Sequence, residues 1–250
     1  MQFQGLLPAR LSRSDSMRAC VCLPTYNEAE NLERMLRALA GVLAPDDVVL
    51  VIDDNSPDGT GRIAEELAME LPFVRVLHRE RKEGLGPAYI AGFRWALEQG
   101  AGLVLEMDAD FSHDPADVPR LIAAAEEGAD LVIGSRYVEG GEVRNWSLLR
   151  RAISRGGSFY ARTILGVGIR DLTAGFKCYR RAVLEAIDLA TIDARGYAFQ
   201  IETDYRALKR GFRVVEIPVA FVDRELGGSK MSKAIVLEAV LKVPVLRVRG

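Results

Sequence analysis

Apolar residues recur along this chain with two periods in turn. Short, nearly continuous apolar runs fall at 19–24, 48–53, 73–78, 102–107 and 130–134. Each has strand length and is rich in Val, Leu and Ile, as strands buried on both faces require. Between them the spacing lengthens to three and four. Leu32, Met35, Leu36, Leu39 and Leu43 form one helical face, and Leu85, Tyr89, Gly92, Phe93 and Ala96 another. This alternation over the first 135 residues predicts an α/β fold with a mostly parallel sheet covered on both faces. Beyond it the rhythm changes. Gly140-Gly141 predicts a loop, Trp146 to Leu165 a basic helix, 173–179 a Gly-containing strand and 199–210 a helix. Arg213 to Val222 reads as extended, with Pro218 marking an edge or a bend.

No repeat or long linker divides the chain, so one domain over 19–232 is expected, with 1–18 a leader outside the fold and Met17 an alternative start. The leader lacks the uninterrupted apolar stretch of a signal peptide, which makes the Asn145-Trp146-Ser147 sequon incidental. Residues 233–250 are apolar but broken by Glu238, Lys242, Pro244 and Arg247. A span needs about 20 mostly uncharged residues, so this segment is expected to be a core-packing helix or an interfacial strip.

Composition narrows the function classes. Hydrophobic residues make up 49% and charged residues 27%, as in ordinary soluble domains. A net charge of −2 gives no global field for nucleic acid or anionic lipid, so any anion site must be built locally. Cys20, Cys22 and Cys178 form no CxxC pair and read as small core residues, which suits a reducing cytoplasm.

The candidate chemistry sits where apolar runs end in acids. Leu103 to Asp110 delivers Asp108 and Asp110 to a strand's carboxyl edge. Residues i and i+2 of an extended chain face one side, and ligands of open α/β sheets sit at that edge. Oxygen-only donors suit Mg²⁺ or Mn²⁺ carrying a phosphate; an acidic turn capping the next helix is the plainer alternative. Asp53 and Asp54 end another run, and Asp54, in phase with Ile52, is the one expected to read a base edge or ribose hydroxyls. In Pro24-Thr25-Tyr26-Asn27-Glu28, Asn27 suits a helix cap, while Tyr26 has no structural reason and could stack on a base.

Gly84-Leu85-Gly86 lacks the third glycine of the dinucleotide fingerprint, since position 89 is Tyr, and no GxxxxGK[ST] occurs. Arg79, Arg81 and Lys82 before that helix make either a phosphate site or a solvated basic turn. In the second half, Arg150 and Ser154 share a helical face, Arg136 follows a strand end, and Arg224, Ser229 and Lys230 share a loop. Arg155, Arg162, Arg180 and Arg181 read as solvated charge.

Taken together, PTYNEAENL at 24–32, VIDDNSPDGT at 51–60, GLGPAYIAG at 84–92, MDADFSHDP at 107–115, GSRYVEGG at 134–141, WSLLRRAISRGG at 146–157, DLTAGFKCYRR at 171–181, GYAFQIE at 196–202 and FVDRELGGSKMS at 221–232 resemble the inverting family 2 GT-A glycosyltransferases. Within these the resemblance is to the polyprenyl- (dolichyl-) phosphate mannose synthases. It implies a GT-A nucleotide-diphospho-sugar transferase fold and transfer of mannose from GDP-mannose to a polyprenyl monophosphate. Pro24, Tyr26, Glu28, Ile52 and Asp54 would hold the base and ribose. Asp108, the Ala109 backbone and Asp110 would hold Mg²⁺ or Mn²⁺ and the diphosphate, with Arg224 and Lys230 closing over it. Arg136, Arg150 and Ser154, with Asp110, would serve the acceptor phosphate and the charge of the transition state. Ser112 stands where some relatives carry Gln.

The resemblance also implies work at the cytoplasmic face of a membrane, beside a membrane protein or on the lipid surface. Three other readings compete: a polyprenyl-phosphate glucose synthase using UDP-glucose, a metal-dependent nucleotidyltransferase releasing pyrophosphate, and a nucleotide-sugar sensor without turnover. The acceptor cluster at Arg136, Arg150 and Ser154 argues against the sensor.

Overall fold

The computed structural model describes residues 19–194, 196–223 and 233–249. Its first half follows the predicted alternation: β1 (Ala19–Thr25), α1 (Ala29–Ala40), β2 (Val48–Asp53), α2 (Thr60–Glu70), β3 (Val74–His78), α3 (Leu85–Glu98), β4 (Leu103–Glu106), α4 (Val118–Glu126) and β5 (Leu131–Ser135). The second half adds β6 (Glu142–Arg144), α5 (Leu148–Leu165), β7 (Lys177–Arg180), α6 (Arg181–Ala186), α7 (Tyr197–Lys209), β8 (Val214–Pro218), β9 (Ala220–Val222) and α8 (Lys233–Arg249).

Seven strands form one sheet in the order β3-β2-β1-β4-β7-β5-β8, and β6 pairs with β9 in a small parallel ribbon. Only β7 runs antiparallel, against β4 and β5. The sheet is therefore mostly parallel, and helices cover both faces. One core layer unites Cys20, Cys22, Leu50 and Ile52 with α3 and α7; the other unites Val21, Leu23, Val49 and Val51 with α1 and α4. The three cysteines are free and buried within these layers.

Several expectations change at their edges. The predicted strand over 173–179 forms only as Lys177–Arg180, because Thr173 and Gly175 turn toward a cleft instead of a ladder. The extended run to Val222 splits at Val219, leaving β8 as the sheet's edge. Asn27 does not cap α1; it adopts a left-handed φ of 57°. The neighbouring loop does that work: Asp58 Oδ2 accepts from Ala29 N at 3.1 Å and Thr60 Oγ1 from Glu28 N at 3.0 Å. The loops after β1 and β2 are thus stitched together at the carboxyl edge. Gly86 has a packing reason rather than a phosphate one, since a Cβ there would collide with the Ala194 carbonyl.

Arg180 and Arg181 are not merely solvated. Arg180 donates to the Ala129 and Ala125 carbonyls, Arg181 to that of Leu97, and so each closes a helix end. The C-terminal segment packs on the core along one side and leaves apolar side chains exposed on the other. Val243 of α8 is fully buried with Ala239 and Leu246 packed beside it, while Val240, Leu241, Val245 and Val248 are exposed.

Candidate active site

The carboxyl ends of β1, β2 and β4 open into a cleft of about 380 Å³. One wall carries Pro24, Tyr26, Glu28, Asp54 and Lys82, the floor Asp108, Ala109 and Asp110, and the far wall Arg136, Trp146, Arg150 and Tyr197. Residues more than 120 positions apart in sequence share this space because β7, inserted antiparallel beside β4, brings the second half of the chain back across the acidic edge.

On the first wall Lys82 Nζ sits 4.0 Å from the centroid of the Tyr26 ring, a cation–π contact. Arg79 is taken up by Asp54 at 2.5 Å and by Glu83 at 2.9 Å, and Arg81 by Glu83. Of the basic triplet, Lys82 is the member that lines the cleft. Burial pushes the Asp54 carboxyl up, and Arg79 offsets this in part. Strand alternation separates the acids: Asp53 accepts from Ser56 Oγ at 2.5 Å, while Asp54 faces the cleft. Ile52 does not line the cleft; it is fully buried against the backbone of Gly92.

On the floor, the Asp110 Oδ1 accepts from the Ser112 backbone N–H at 3.0 Å. Thus the main chain at Ser112, not its side chain, aims this carboxylate. Asp108 N donates to His113 Nδ1 at 3.3 Å, which places the ring proton on Nε2. His113 is buried and stacked on Phe176 at 4.8 Å. Burial depresses it to about 4, against the pull of Asp110, so it stays a neutral prop for the Asp108 backbone near pH 7.

Two carboxylates one residue apart are a donor set for a hard divalent cation. No group of three or more potential ligands exists among the described residues. A Mg²⁺ or Mn²⁺ ion whose shell is completed by substrate phosphates needs only one or two protein carboxylates, and Asp108 and Asp110 both line this cleft.

The far wall is cationic and aromatic. Arg136 Nε and Nη2 donate to Asp171 at 2.7 and 2.6 Å, and Nη2 also to Thr173 Oγ1 at 2.9 Å. Burial would lower this guanidinium, but Asp171 raises it well above the ordinary arginine value. Arg150 Nη1 reaches both oxygens of Asp223 at 2.7 Å and its guanidinium covers Trp146 at 4.2 Å. Ser154 does not line the cleft; its Oγ accepts from Tyr137 Oη at 2.7 Å in an adjoining groove. That groove, walled by Ile153, Tyr160, Ile201, Val240 and Val243, shares Trp146, Arg150 and Tyr197 with the cleft. Arg224, Ser229 and Lys230 lie outside the described residues.

Sequence reasoning did not single out Trp146, Tyr197, Gln200, Asp171 or His113. Only Trp146 and Asp171 left a trace, as an aromatic opening a basic helix and an acid among glycine and threonine. The others look like ordinary helix and loop residues until the fold assembles them.

The sequence model of Glycosyl transferase family 2 matches residues 20–188. A curated relative, the polyprenol monophosphomannose synthase of Mycolicibacterium smegmatis, is 51% identical over 94% of this chain and 89% of its own. The undecaprenyl-phosphate mannosyltransferase of Micrococcus luteus is 52% identical over 91% of this chain and 93% of its own. Among solved structures, glucosyl-3-phosphoglycerate synthase from Mycobacterium tuberculosis with phosphoglyceric acid aligns with a TM-score of 0.70 at 20% identity, covering 93% of this chain and 81% of that one. The same enzyme with Mn²⁺, UDP-glucose and phosphoglyceric acid gives 0.69 at 19%, covering 93% and 80%. At that identity the likeness speaks for the fold, which is GT-A.

Proposed function

The chain belongs to glycosyl transferase family 2, and from that premise we propose that it transfers mannose from a nucleoside diphosphate donor, GDP-mannose, to a polyprenyl monophosphate, giving the β-mannosyl phosphate and GDP. The supporting names are those of relatives at about half identity. The observation that carries the reading to this chain is the shared boundary of two cavities: an ionic cleft and an apolar groove meet at Trp146, Arg150 and Tyr197. A phosphate attached to a hydrocarbon chain is the ligand that needs both.

In this reading Tyr26 and Lys82 offer a stacking face and a positive charge to the base side, and Asp54 with Glu28 accepts from base or ribose. Asp108 and Asp110 would hold Mg²⁺ or Mn²⁺ against the diphosphate. Such an ion, when bound, supplies positive charge to the departing diphosphate. Arg224 and Lys230 remain candidates for the same task. Arg150 and Arg136 Nη1, the guanidinium nitrogen that Asp171 leaves free, face the acceptor phosphate with Ser154 behind them.

No general base is required. A phosphate monoester has a second pKa near 6 and is largely a dianion near neutral pH, so its oxygen is already a nucleophile. It attacks the anomeric carbon as the carbon–oxygen bond to the diphosphate breaks, which inverts that centre. The cationic wall offsets the acceptor's charge and excludes water from it.

The same reading places the protein at a membrane surface. No helix among the described residues is long and apolar enough to cross one. Instead Leu148, Leu149, Ile153 and Phe159 of α5 and Val240, Leu241, Val245 and Val248 of α8 are exposed. The α5 sequence carries Arg150, Arg151, Arg155 and Arg162 and no acid. An apolar strip with arginines beside it suits an anionic lipid surface.

The test supplies labelled GDP-mannose and UDP-glucose separately with polyprenyl phosphate and Mg²⁺, and follows label into the organic phase. Label from GDP-mannose with release of GDP supports the reading. Label from UDP-glucose instead, or release of pyrophosphate, overturns it.

A further inference from the structure

Gln200 lies on the first turns of α7 and lines the cleft, yet it is only 2% exposed. Neither Nε2 nor Oε1 makes a well-formed hydrogen bond among the described residues, although the amide lies near enough to Glu106 to work against the burial that raises that carboxyl. Its neighbours are engaged elsewhere. Lys177 Nζ donates to the Gln200 carbonyl at 3.0 Å and to Asp204 at 2.7 Å, and Tyr179 Oη donates to Glu106 Oε1 at 2.9 Å. Across from it, Gly175 leaves the amide uncovered: a Cβ there would sit 3.6 Å from Nε2. A buried amide without a well-formed hydrogen bond is costly, and proteins keep few of them.

We propose that the Gln200 side chain reads hydroxyl groups of the transferred sugar. The inference rests on the glycosyl-transfer reading above and deepens it. A phosphate only accepts hydrogen bonds and would leave Oε1 open; a cation would engage Oε1 and leave Nε2. A sugar hydroxyl both donates and accepts, so a hydroxyl pair satisfies both amide atoms. Position agrees, since Gln200 shares the cleft with Asp108, Asp110 and Tyr197. A neutral amide also avoids repelling an incoming phosphate dianion, as a carboxylate there would not.

The test compares Gln200→Met with the wild type in calorimetric binding of GDP-mannose, GDP, UDP-glucose and UDP, with Mg²⁺ and no acceptor, alongside transfer kinetics and thermal unfolding. The wild type should bind one sugar nucleotide more tightly than its parent nucleotide. The variant should keep nucleotide affinity within about twofold, lose that sugar-dependent gain, and lose roughly 10–100-fold in kcat/KM, the size of one lost hydrogen-bonding group. Its unfolding midpoint should hold, because an apolar side chain of similar size removes two poorly satisfied atoms at the loss of one loose contact with Glu106. Retention of the sugar-dependent gain overturns the assignment. So does a parallel fall in stability and in affinity for both ligands, which would mean that Gln200 serves Glu106 alone. Should the gain belong to UDP-glucose, the mannose reading fails while the variant's effect on that gain still decides the role of Gln200. Should the wild type show no gain with either sugar, the assignment fails and label in the organic phase still judges the transfer reading.

Discussion

Asp171 holds Arg136 through two parallel side-chain hydrogen bonds, at 2.7 and 2.6 Å, and a third from the Arg136 backbone N–H at 3.0 Å. Asp171 is fully buried and Arg136 nearly so. The pair sets the far wall of the cleft, because a guanidinium fixed by its own fork presents its remaining nitrogen in one direction.

Breaking this pair should cost folding stability first. Asp171→Asn removes the charge that compensates a buried arginine, a loss of about 3–5 kcal/mol by precedent. The pH response follows from the carboxyl's shift. Burial alone would raise Asp171, but Arg136 outweighs it and the carboxyl is held below its ordinary 3.8. A depressed carboxylate contributes stability that is complete above the unfolded value and fades as pH falls through the lower folded one. Urea unfolding across pH 2–6 should show the wild type losing this contribution below about 3.8, and Asp171→Asn lacking that acid limb. An unchanged acid limb in the variant would exclude the pair as its source.

Asp110 tests the metal. Asp110→Asn keeps the shape and the contact from Ser112 N while removing a charged ligand. Transfer should fall by about 10²-fold or more, the scale of losing a charge-stabilising group, and chelation of divalent ions should reproduce the loss in the wild type. Measurable transfer by the variant in chelated buffer would exclude a metal at this pair.

Arg150 tests the acceptor side. Arg150→Ala should raise KM for polyprenyl phosphate by roughly 10–100-fold, as expected for a charge-assisted contact, with nucleotide affinity unchanged within about twofold. A shift in nucleotide affinity instead would move Arg150 to the donor side.

The exposed strip on α5 and α8 tests the membrane. Phe159 is 62% and Leu241 62% exposed, so a charge at either leaves the fold unstrained. Phe159→Glu with Leu241→Glu should reduce sedimentation with anionic vesicles by about tenfold or more, given about 1.5–3 kcal/mol for each large apolar side chain buried, while the unfolding midpoint holds. Unchanged vesicle binding would turn attention to another face.

What the sequence determined by itself was the frame. Apolar runs and their spacing are local properties, so the strands from Ala19 to Ser135, the helices between them and the acids at strand ends could be read in order. Asp54 could be chosen over Asp53 because alternation is a rule of the extended backbone. Other features belong only to the tertiary structure. Asn27 looked like a cap until the loop carrying Asp58 and Thr60 arrived to do its work. Ile52 shared a phase with Asp54 but points into the layer beneath α3. Arg180 and Arg181 read as solvent charge until helix ends came within reach. Gln200, Tyr197 and His113 carry no local signal, because their chemistry depends on partners supplied, or withheld, by segments far away in the chain. Packing brought those segments together, and side-chain burial decided which polar groups were left to meet a ligand.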